Sequence, residues 1–358
     1  MYKWKEDVRM KTILMDMTKG TDESLMSEAG KIIREGGLVA FPTETVYGLG
    51  GNALDPEASG KIYAAKGRPS DNPLIVHIAD MSALEPIAAE IPEQARKLAQ
   101  KFWPGPLTMV FRKTDLVPMA TTGGLDTVAV RMPDNEIALE LIRAGGGYIA
   151  APSANTSGRP SPTKASHVMD DLEGKIECVI DGGPVGIGVE STIVDLTEGA
   201  PVILRPGYIN QQMLEDALKV EVTIDKGLTA NDPSIHPKAP GMKYRHYAPK
   251  AGLVIVEGKA EAVVEKISAL TEVDVKEGKK VGIIATNETA GLYRQGLVKS
   301  AGTREDEITI SQRLYSILRE FDDMDVDRIY SEAFETPQLG QAIMNRLIKA
   351  AGHQIINV

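Results

Sequence analysis

The chain has 358 residues, which at roughly 150 residues per domain predicts about two domains, each able to bury its own core. Apolar residues make up 42% and charged residues 25%, which excludes long disorder, collagen-like repeats and a coiled-coil rod. Lys plus Arg is 40 against 50 for Asp plus Glu, and the resulting net charge of −10 opposes non-specific binding of nucleic acid or anionic membrane as the main activity.

In chain order the sequence first alternates strand-like and helix-like stretches: a strand over 12–15, an amphipathic helix over 22–35 and an apolar strand over 38–41. The alternation continues with a helix near 56–66, a strand at 74–78, a helix at 92–102, strands near 107–111 and 127–130, a helix near 136–142 and a strand at 148–150. Short strands then crowd together at 178–180, 192–195 and 202–204 before a helix near 210–217, which predicts a mixed rather than purely parallel sheet. Pro233, Pro237, Pro240, Gly241 and Pro249 interrupt any regular element from 227 to 250, the linker candidate. That linker is the only basic segment, with four cations and one acid over 228–250, between stretches of net charge −9 and −4. Beyond it, strands at 253–256, 281–285 and 328–330 and helices at 260–270, 312–321 and 339–350 read as a second βα-alternating unit of about 108 residues, sufficient for a small Rossmann-like domain.

No run of about 18 apolar residues occurs, and the first seven residues carry acids and no apolar core, so a cytoplasmic chain without a membrane span is expected. Cys178 is the only cysteine, which rules out an intrachain disulfide and a multi-cysteine zinc site; its apolar neighbours Val179 and Ile180 favour buried packing over nucleophilic work. The common phosphate-binding, metalloprotease and hydrolase signatures are missing, so any nucleotide must be held another way.

Five segments are left as candidates for chemistry. Residues 42–51 (PTETVYGLGG) follow a strand and bring hydroxyls and backbone N–H groups to its end, where α/β sheets place ligands, although a capped glycine turn explains them equally. Lys66-Gly67-Arg68-Pro69 ends a helix, and both cations are expected to face solvent, either as a phosphate site or as charges favoured at a helix C-terminus. His77 and Arg131 fall at strand ends and are open to structural as well as ligand-binding readings. Fifteen uncharged residues from Ala144 to Gly158 precede Arg159, and a loop this rich in small hydroxyl and amide groups suggests a backbone-rich ligand cradle. Glu190-Ser191-Thr192 enters a strand and Leu204-Arg205-Pro206-Gly207 leaves one, each compatible with ordinary turn chemistry.

The order of PTETVYGLG at 42–50, KGRPSDNPLIVHI at 66–78, VRMP at 130–133, APSANTSGRPSPT at 151–163, GVEST at 188–192 and LRPG at 204–207 resembles the threonylcarbamoyl-AMP synthase family. The linker APGMKYRHYAP at 239–249 resembles its long form specifically. The resemblance implies an α/β architecture in which a YrdC-like twisted mixed sheet with helices (residues 1–226) is joined by a proline-rich linker or lid (227–250) to a smaller C-terminal Rossmann-like α/β domain (251–358). It implies that L-threonine, bicarbonate or carbon dioxide, and ATP give threonylcarbamoyl-AMP and pyrophosphate. A downstream threonylcarbamoyl transferase complex then modifies adenosine 37 of tRNAs reading ANN codons.

Carried over by motif, Thr45, His77, Arg131, Ala151 and Ser191 would bind threonine. Lys66, Arg68, Asn72, Thr127, Ser153, Asn155, Ser161 and Arg205 would bind ATP, with Lys66 and Arg68 acting on the phosphates. Mg2+ would arrive with ATP and receives no protein ligand; Glu44, the acid nearest these motifs, receives no role. Tyr244 and His246 are lid candidates, tRNA would bind at most weakly, and no membrane partner is implied. The competing readings are a double-stranded-RNA-binding, tRNA-binding or ribosome-assembly factor, disfavoured by the charge and by five Phe, and a hydrogenase-maturation carbamoyltransferase, whose cysteine-rich zinc motifs this chain lacks.

Overall fold

Residues 10–225, 247–334 and 338–358 are described by a computed structural model. The larger sheet is formed by β1 (Ile13–Asp16), β2 (Val39–Phe41), β3 (Gly48–Asn52), β4 (Ile75–His77), β5 (Leu107–Arg112), β6 (Thr127–Arg131), β7 (Ile149–Ala150), β8 (Cys178–Asp181), β9 (Thr192–Asp195), β10 (Val202–Arg205) and β11 (Thr223–Ile224). Their order is β1-β8-β2-β3-β7-β4-β6-β5-β9-β10-β11, with parallel and antiparallel pairs interspersed, so the sheet is mixed as the crowded short strands predict.

Six helices accompany these strands: α1 (Glu23–Arg34), α2 (Pro56–Lys66), α3 (Glu93–Phe102), α4 (Glu136–Ala144), α5 (Ala165–Leu172) and α6 (Gln211–Leu218). The one that matters for the site is α2. The Asp55 side chain accepts from the Glu57 N–H at its start, Pro56 sits in the first turn, and Gly67 ends it in the left-handed region at φ +61°. Such a stop needs a residue without Cβ, and it fixes the direction in which Lys66 and Arg68 leave the helix.

Beyond residue 250 come β12 (Gly252–Glu257), α7 (Ala260–Lys276), β13 (Val281–Ala285), β14 (Leu297–Ser300), α8 (Glu307–Asp323), β15 (Arg328–Glu332), α9 (Gly340–Ala350) and β16 (Ile355–Asn357). The five strands are all parallel in the order β14-β13-β15-β12-β16, as a Rossmann-like unit requires. One face of this sheet has its own core, with Val254, Val256, Val281 and Ile283 packed against Val263 and Ile267 of α7, and the other face does not close on itself. Leu314, Ile317 and Leu318 of α8 and Ile343 and Leu347 of α9 share one buried cluster with Val46, Ile187 and Val189 of the larger sheet's loops. Ser311 Oγ donates to the Ile187 carbonyl at 2.6 Å and Gln312 Nε2 to the Gly186 carbonyl at 2.6 Å, tying α8 to the loop before β9.

The elements that sequence periodicity does not reveal have physical reasons. β11, β14 and β16 are short strands at sheet edges, with few apolar positions to show a pattern. β3 reads as a glycine turn, yet it is a strand because its neighbours leave no room for side chains: a Cβ on Gly50 would lie 2.8 Å from Ile149 and 2.9 Å from Phe41. Tertiary closeness here overrides local propensity. No helix among the described residues is long and apolar enough to cross a membrane.

Candidate active site

Strand register gathers the polar tips. β4 and β6 run parallel with His77 opposite Arg131, and β5 runs antiparallel beside β6 with Thr108 opposite Arg131. β9 pairs with β5 so that Ser191, one residue before it, reaches Thr108, the two hydroxyl oxygens being 2.8 Å apart. Arg205, the last residue of β10, donates to the Ser191 carbonyl at 3.0 Å and to Ser191 Oγ at 3.1 Å. On the opposite side the start of β3 bridges to Ser153, bringing in the uncharged loop after β7. Thr45, Lys66, Arg68, His77, Arg131, Ala151, Ser153, Asn155, Ser161, Ser191 and Arg205 thereby line one cavity, with about 60 Å³ enclosed inside a concavity of about 730 Å³ that opens to solvent.

Its cations are held apart by different partners. Lys66 is 2% exposed, which corrects the expectation of a solvent-facing side chain: its helix face lies beneath the 151–161 loop, and Nζ donates to the carbonyls of Ser153 and Asn155. Burial, reinforced by the Arg68 charge, holds its ammonium well below the ordinary lysine range. Arg68 is half-buried, donates to the Asn72 carbonyl at 3.3 Å and the Pro73 carbonyl at 3.1 Å, and is pushed down to about 10 by burial, so it stays charged at neutral pH. Arg205 is likewise lowered by burial.

Arg131 is buried in the cavity wall where β4, β5 and β6 adjoin. Nη1 donates to Thr45 Oγ1 at 2.9 Å, Nε to the Gly105 carbonyl at 3.3 Å, and Nη2 lies 2.6 Å from Glu44 Oε2. The Nη2–Glu44 contact is an ion pair that falls outside hydrogen-bond alignment, so the buried guanidinium is matched in charge there without a well-aligned acceptor. His77 is pushed down to about 3 by burial and by the neighbouring Arg131 charge, which makes it a neutral imidazole at physiological pH; its Nδ1 contacts the Ile75 carbonyl at 3.1 Å.

Two of the expected residues fall outside the cavity lining, and two lie where the structure gives no description. Thr127 begins β6 opposite Arg112, four residues and roughly 13 Å from Arg131 at a strand's rise per residue, and it does not line the cavity. Asn72 is buried behind Arg68, outside the lining, and acts through its carbonyl. Tyr244 and His246 lie outside the described residues.

Residues that motif reading left without a role also meet here. Glu190 lines the cavity and accepts from Ser161 Oγ at 2.5 Å, from Tyr315 of α8 at 3.0 Å and from Arg346 of α9 at 3.0 Å. Burial alone would raise its carboxyl, but the Arg346 and Arg205 charges and the Ser161 hydroxyl outweigh it and hold it at about 2. Arg159 lines the cavity and pairs with Asp171, which also binds Arg319 of α8 at 2.9 Å. Tyr247 closes one wall, its ring stacked on Tyr315 with centroids 5.3 Å apart. Glu190 sits in the GVEST motif, but its partners are more than a hundred residues away, and no local pattern signals them. Among the described residues no cluster of three His, Cys, Asp or Glu side chains is arranged for a metal, and Cys178 is buried, as expected, and raised to about 12 by burial.

Comparison with known proteins agrees with this arrangement. A Sua5/YciO/YrdC sequence family described as "Telomere recombination" matches residues 31–207, and one described as "Threonylcarbamoyl-AMP synthase, C-terminal domain" matches residues 209–352. The threonylcarbamoyl-AMP synthases of Pyrococcus abyssi and Bacillus subtilis are 52% and 49% identical, covering 97% and 98% of this chain and 100% of each relative. The crystal structure of P. abyssi Sua5 complexed with L-threonine superposes with a TM-score of 0.92 at 50% identity, over 97% of this chain and 100% of that one. Fold, cavity and full-length similarity together establish that the chain is an enzyme of the threonylcarbamoyl-AMP synthase family, in its two-domain form.

Proposed function

We propose that the cavity joins L-threonine, bicarbonate or carbon dioxide, and ATP to form threonylcarbamoyl-AMP with release of pyrophosphate. The observation that carries this reading is the charge layout: Arg131, Lys66, Arg68 and Arg205 face one cavity together with a hydroxyl-rich loop. Threonine's carboxylate goes to Arg131, taking over the place that Glu44 Oε2 holds 2.6 Å from Nη2, while Thr45, neutral His77, Ala151 and Ser191 bound the rest of the amino acid. ATP lies along Lys66, Arg68, Ser153, Asn155, Ser161 and Arg205. Charge-assisted hydrogen bonds contribute about 1.5–3 kcal/mol each, so three cations hold a triphosphate without a glycine-rich phosphate loop.

The free amine of threonine bonds to the carbon of carbon dioxide and loses a proton to solvent (bicarbonate reaches the same carbamate by giving up water), and one oxygen of the new carboxylate attacks the α-phosphorus of ATP. The bond from that phosphorus to the bridging oxygen breaks, and pyrophosphate leaves with the electron pair. No side-chain nucleophile is required. Holding the short-lived N-carboxy intermediate against the phosphorus and stabilising the leaving charge supply the acceleration. Glu190, the acid in the lining, is already bound by Ser161, Tyr315 and Arg346, so Mg2+ travels on the phosphates of ATP rather than on a protein carboxylate. The product passes to a partner transferase that modifies adenosine 37 of tRNAs reading ANN codons, and both steps belong to the cytoplasm. An acidic chain suits a division in which this enzyme does not itself grasp tRNA.

The test is pyrophosphate release from ATP. It is expected only when threonine and bicarbonate are both present; release independent of threonine would remove the reading.

A further inference from the structure

A cavity proposed for a triphosphate carries a feature that opposes one: the Glu190 carboxylate lies in its wall. The second domain covers that charge from behind. Arg346 of α9 is wholly buried; its Nε meets Glu190 Oε2 at 3.0 Å, its Nη2 donates to the Glu190 carbonyl at 3.1 Å, and its Nη1 donates to the Pro206 carbonyl next to Arg205. The guanidinium therefore spans the two motifs, GVEST and LRPG, that supply Ser191 and Arg205 to the site. Glu190 in turn holds Ser161 at 2.5 Å.

We propose that Arg346 is a positioning residue for the nucleotide: from the second domain it neutralises Glu190, so that this carboxylate can anchor Ser161 without repelling the ATP phosphates. The proposal rests on the nucleotide reading above. It assigns the second domain a share in substrate binding that covering the site would not require. A buried ion pair is weak evidence for stability, because an apolar pair of similar volume would serve as well or better. A pair kept in the wall of an anion site fits an electrostatic task. Removing Arg346 alone leaves Glu190 with Arg205 as its remaining counter-charge and so draws that guanidinium away from the polyanion, whereas removing both charges does not.

The experiment compares Arg346→Met, Glu190→Gln/Arg346→Met and Arg346→Lys in the full chain, reading ATP affinity by calorimetry and the KM for ATP separately from kcat. Arg346→Met is expected to weaken ATP by roughly ten-fold or more. The double variant recovers most of that affinity, with kcat somewhat below wild type because the neutral amide oxygen accepts from Ser161 less strongly than the carboxylate does. Arg346→Lys, which keeps the charge but gives up the fork to the Glu190 and Pro206 carbonyls, loses less than about ten-fold. A purely structural role predicts instead that the double variant is as poor as the single one; that result, or unchanged ATP affinity in Arg346→Met, overturns the proposal. Should Arg346→Met not fold, a ten-fold loss in Arg346→Lys overturns it equally. A wild-type chain that fails to bind ATP would overturn the nucleotide reading itself.

Discussion

Replacing Lys66 by Met keeps the length of the side chain and removes its charge. In the structure Nζ donates to two loop carbonyls, those of Ser153 and Asn155, and each bond from a charged donor is worth about 1.5–3 kcal/mol. Much of that is offset, because the ammonium is buried and disfavoured, as its lowered pKa records. The net loss of stability is expected to be about 1–3 kcal/mol, chiefly from two carbonyls left without a donor. The effect on the reaction should be separate and at least as large. If the same ammonium turns to the phosphates, losing one charge-assisted bond in the transition state lowers kcat/KM for ATP by roughly 10- to 150-fold. Urea unfolding and steady-state pyrophosphate release, measured on one preparation, divide the two effects. A variant that loses stability but keeps kcat/KM for ATP within about three-fold would refute the phosphate role and leave Lys66 as a strut for the loop.

Arg131→Gln should raise the KM for threonine by roughly 10- to 100-fold with little change in that for ATP, and an equal rise in both would contradict the assignment of Arg131 to threonine. Thr127→Val, at the far end of β6, should leave both constants within about two-fold, as a kinetic series on both substrates would verify. His77 binds its proton far less readily in the fold, at about 3, than in the unfolded chain at 6.5, so the unfolded state gains protons first as pH falls. Stability is unaffected above about pH 6.5 and declines by about 1.4 kcal/mol per pH unit below it. Glu190, held at about 2, adds a loss of the same sign below about pH 4.5. His167, lowered to about 4 by burial and by the Arg319 and Lys164 charges, adds a slope equal to that of His77 below about pH 6.5, so urea-derived stability from pH 7 to 4.5 should fall about twice as steeply and His77→Gln should halve the fall. Gly188→Ala combines a φ of +91° with a Cβ placed 2.3 Å from the Ser311 carbonyl oxygen, and should cost about 2–4 kcal/mol by pushing α8 away from the site. An unchanged melting temperature would show that α8 is not held there.

Much of this was legible before any coordinates, because motifs at strand ends are local features. His77, Arg131, Ser191 and Arg205 each stand at such an end, and parallel or adjoining strands bring the ends to one edge. Burial was not legible. Lys66 ends a helix in a run of cations, and the same string describes a solvated helix terminus or a lysine roofed by a loop almost ninety residues later. Partners drawn from the second domain were equally hidden. Glu190 reads as part of a turn motif until Arg346 and Tyr315 are folded against it, and Asp171, which carries no motif, is met by Arg159 and Arg319 only in the fold. Thr127 marks the opposite limit, since motif correspondence placed it at the nucleotide whereas strand register puts it a full strand length from the cavity.

The account stands on one chemical event, the capture of inorganic carbon on threonine and its transfer to AMP within a single cavity. Incubating the full chain with ATP, L-threonine and carbon-13 bicarbonate and weighing the products by mass spectrometry tests it most directly. The account predicts an acyl adenylate one mass unit heavier than the unlabelled product, accumulating together with pyrophosphate. Pyrophosphate accompanied only by AMP and unlabelled threonine, or an adenylate without the label, would contradict it.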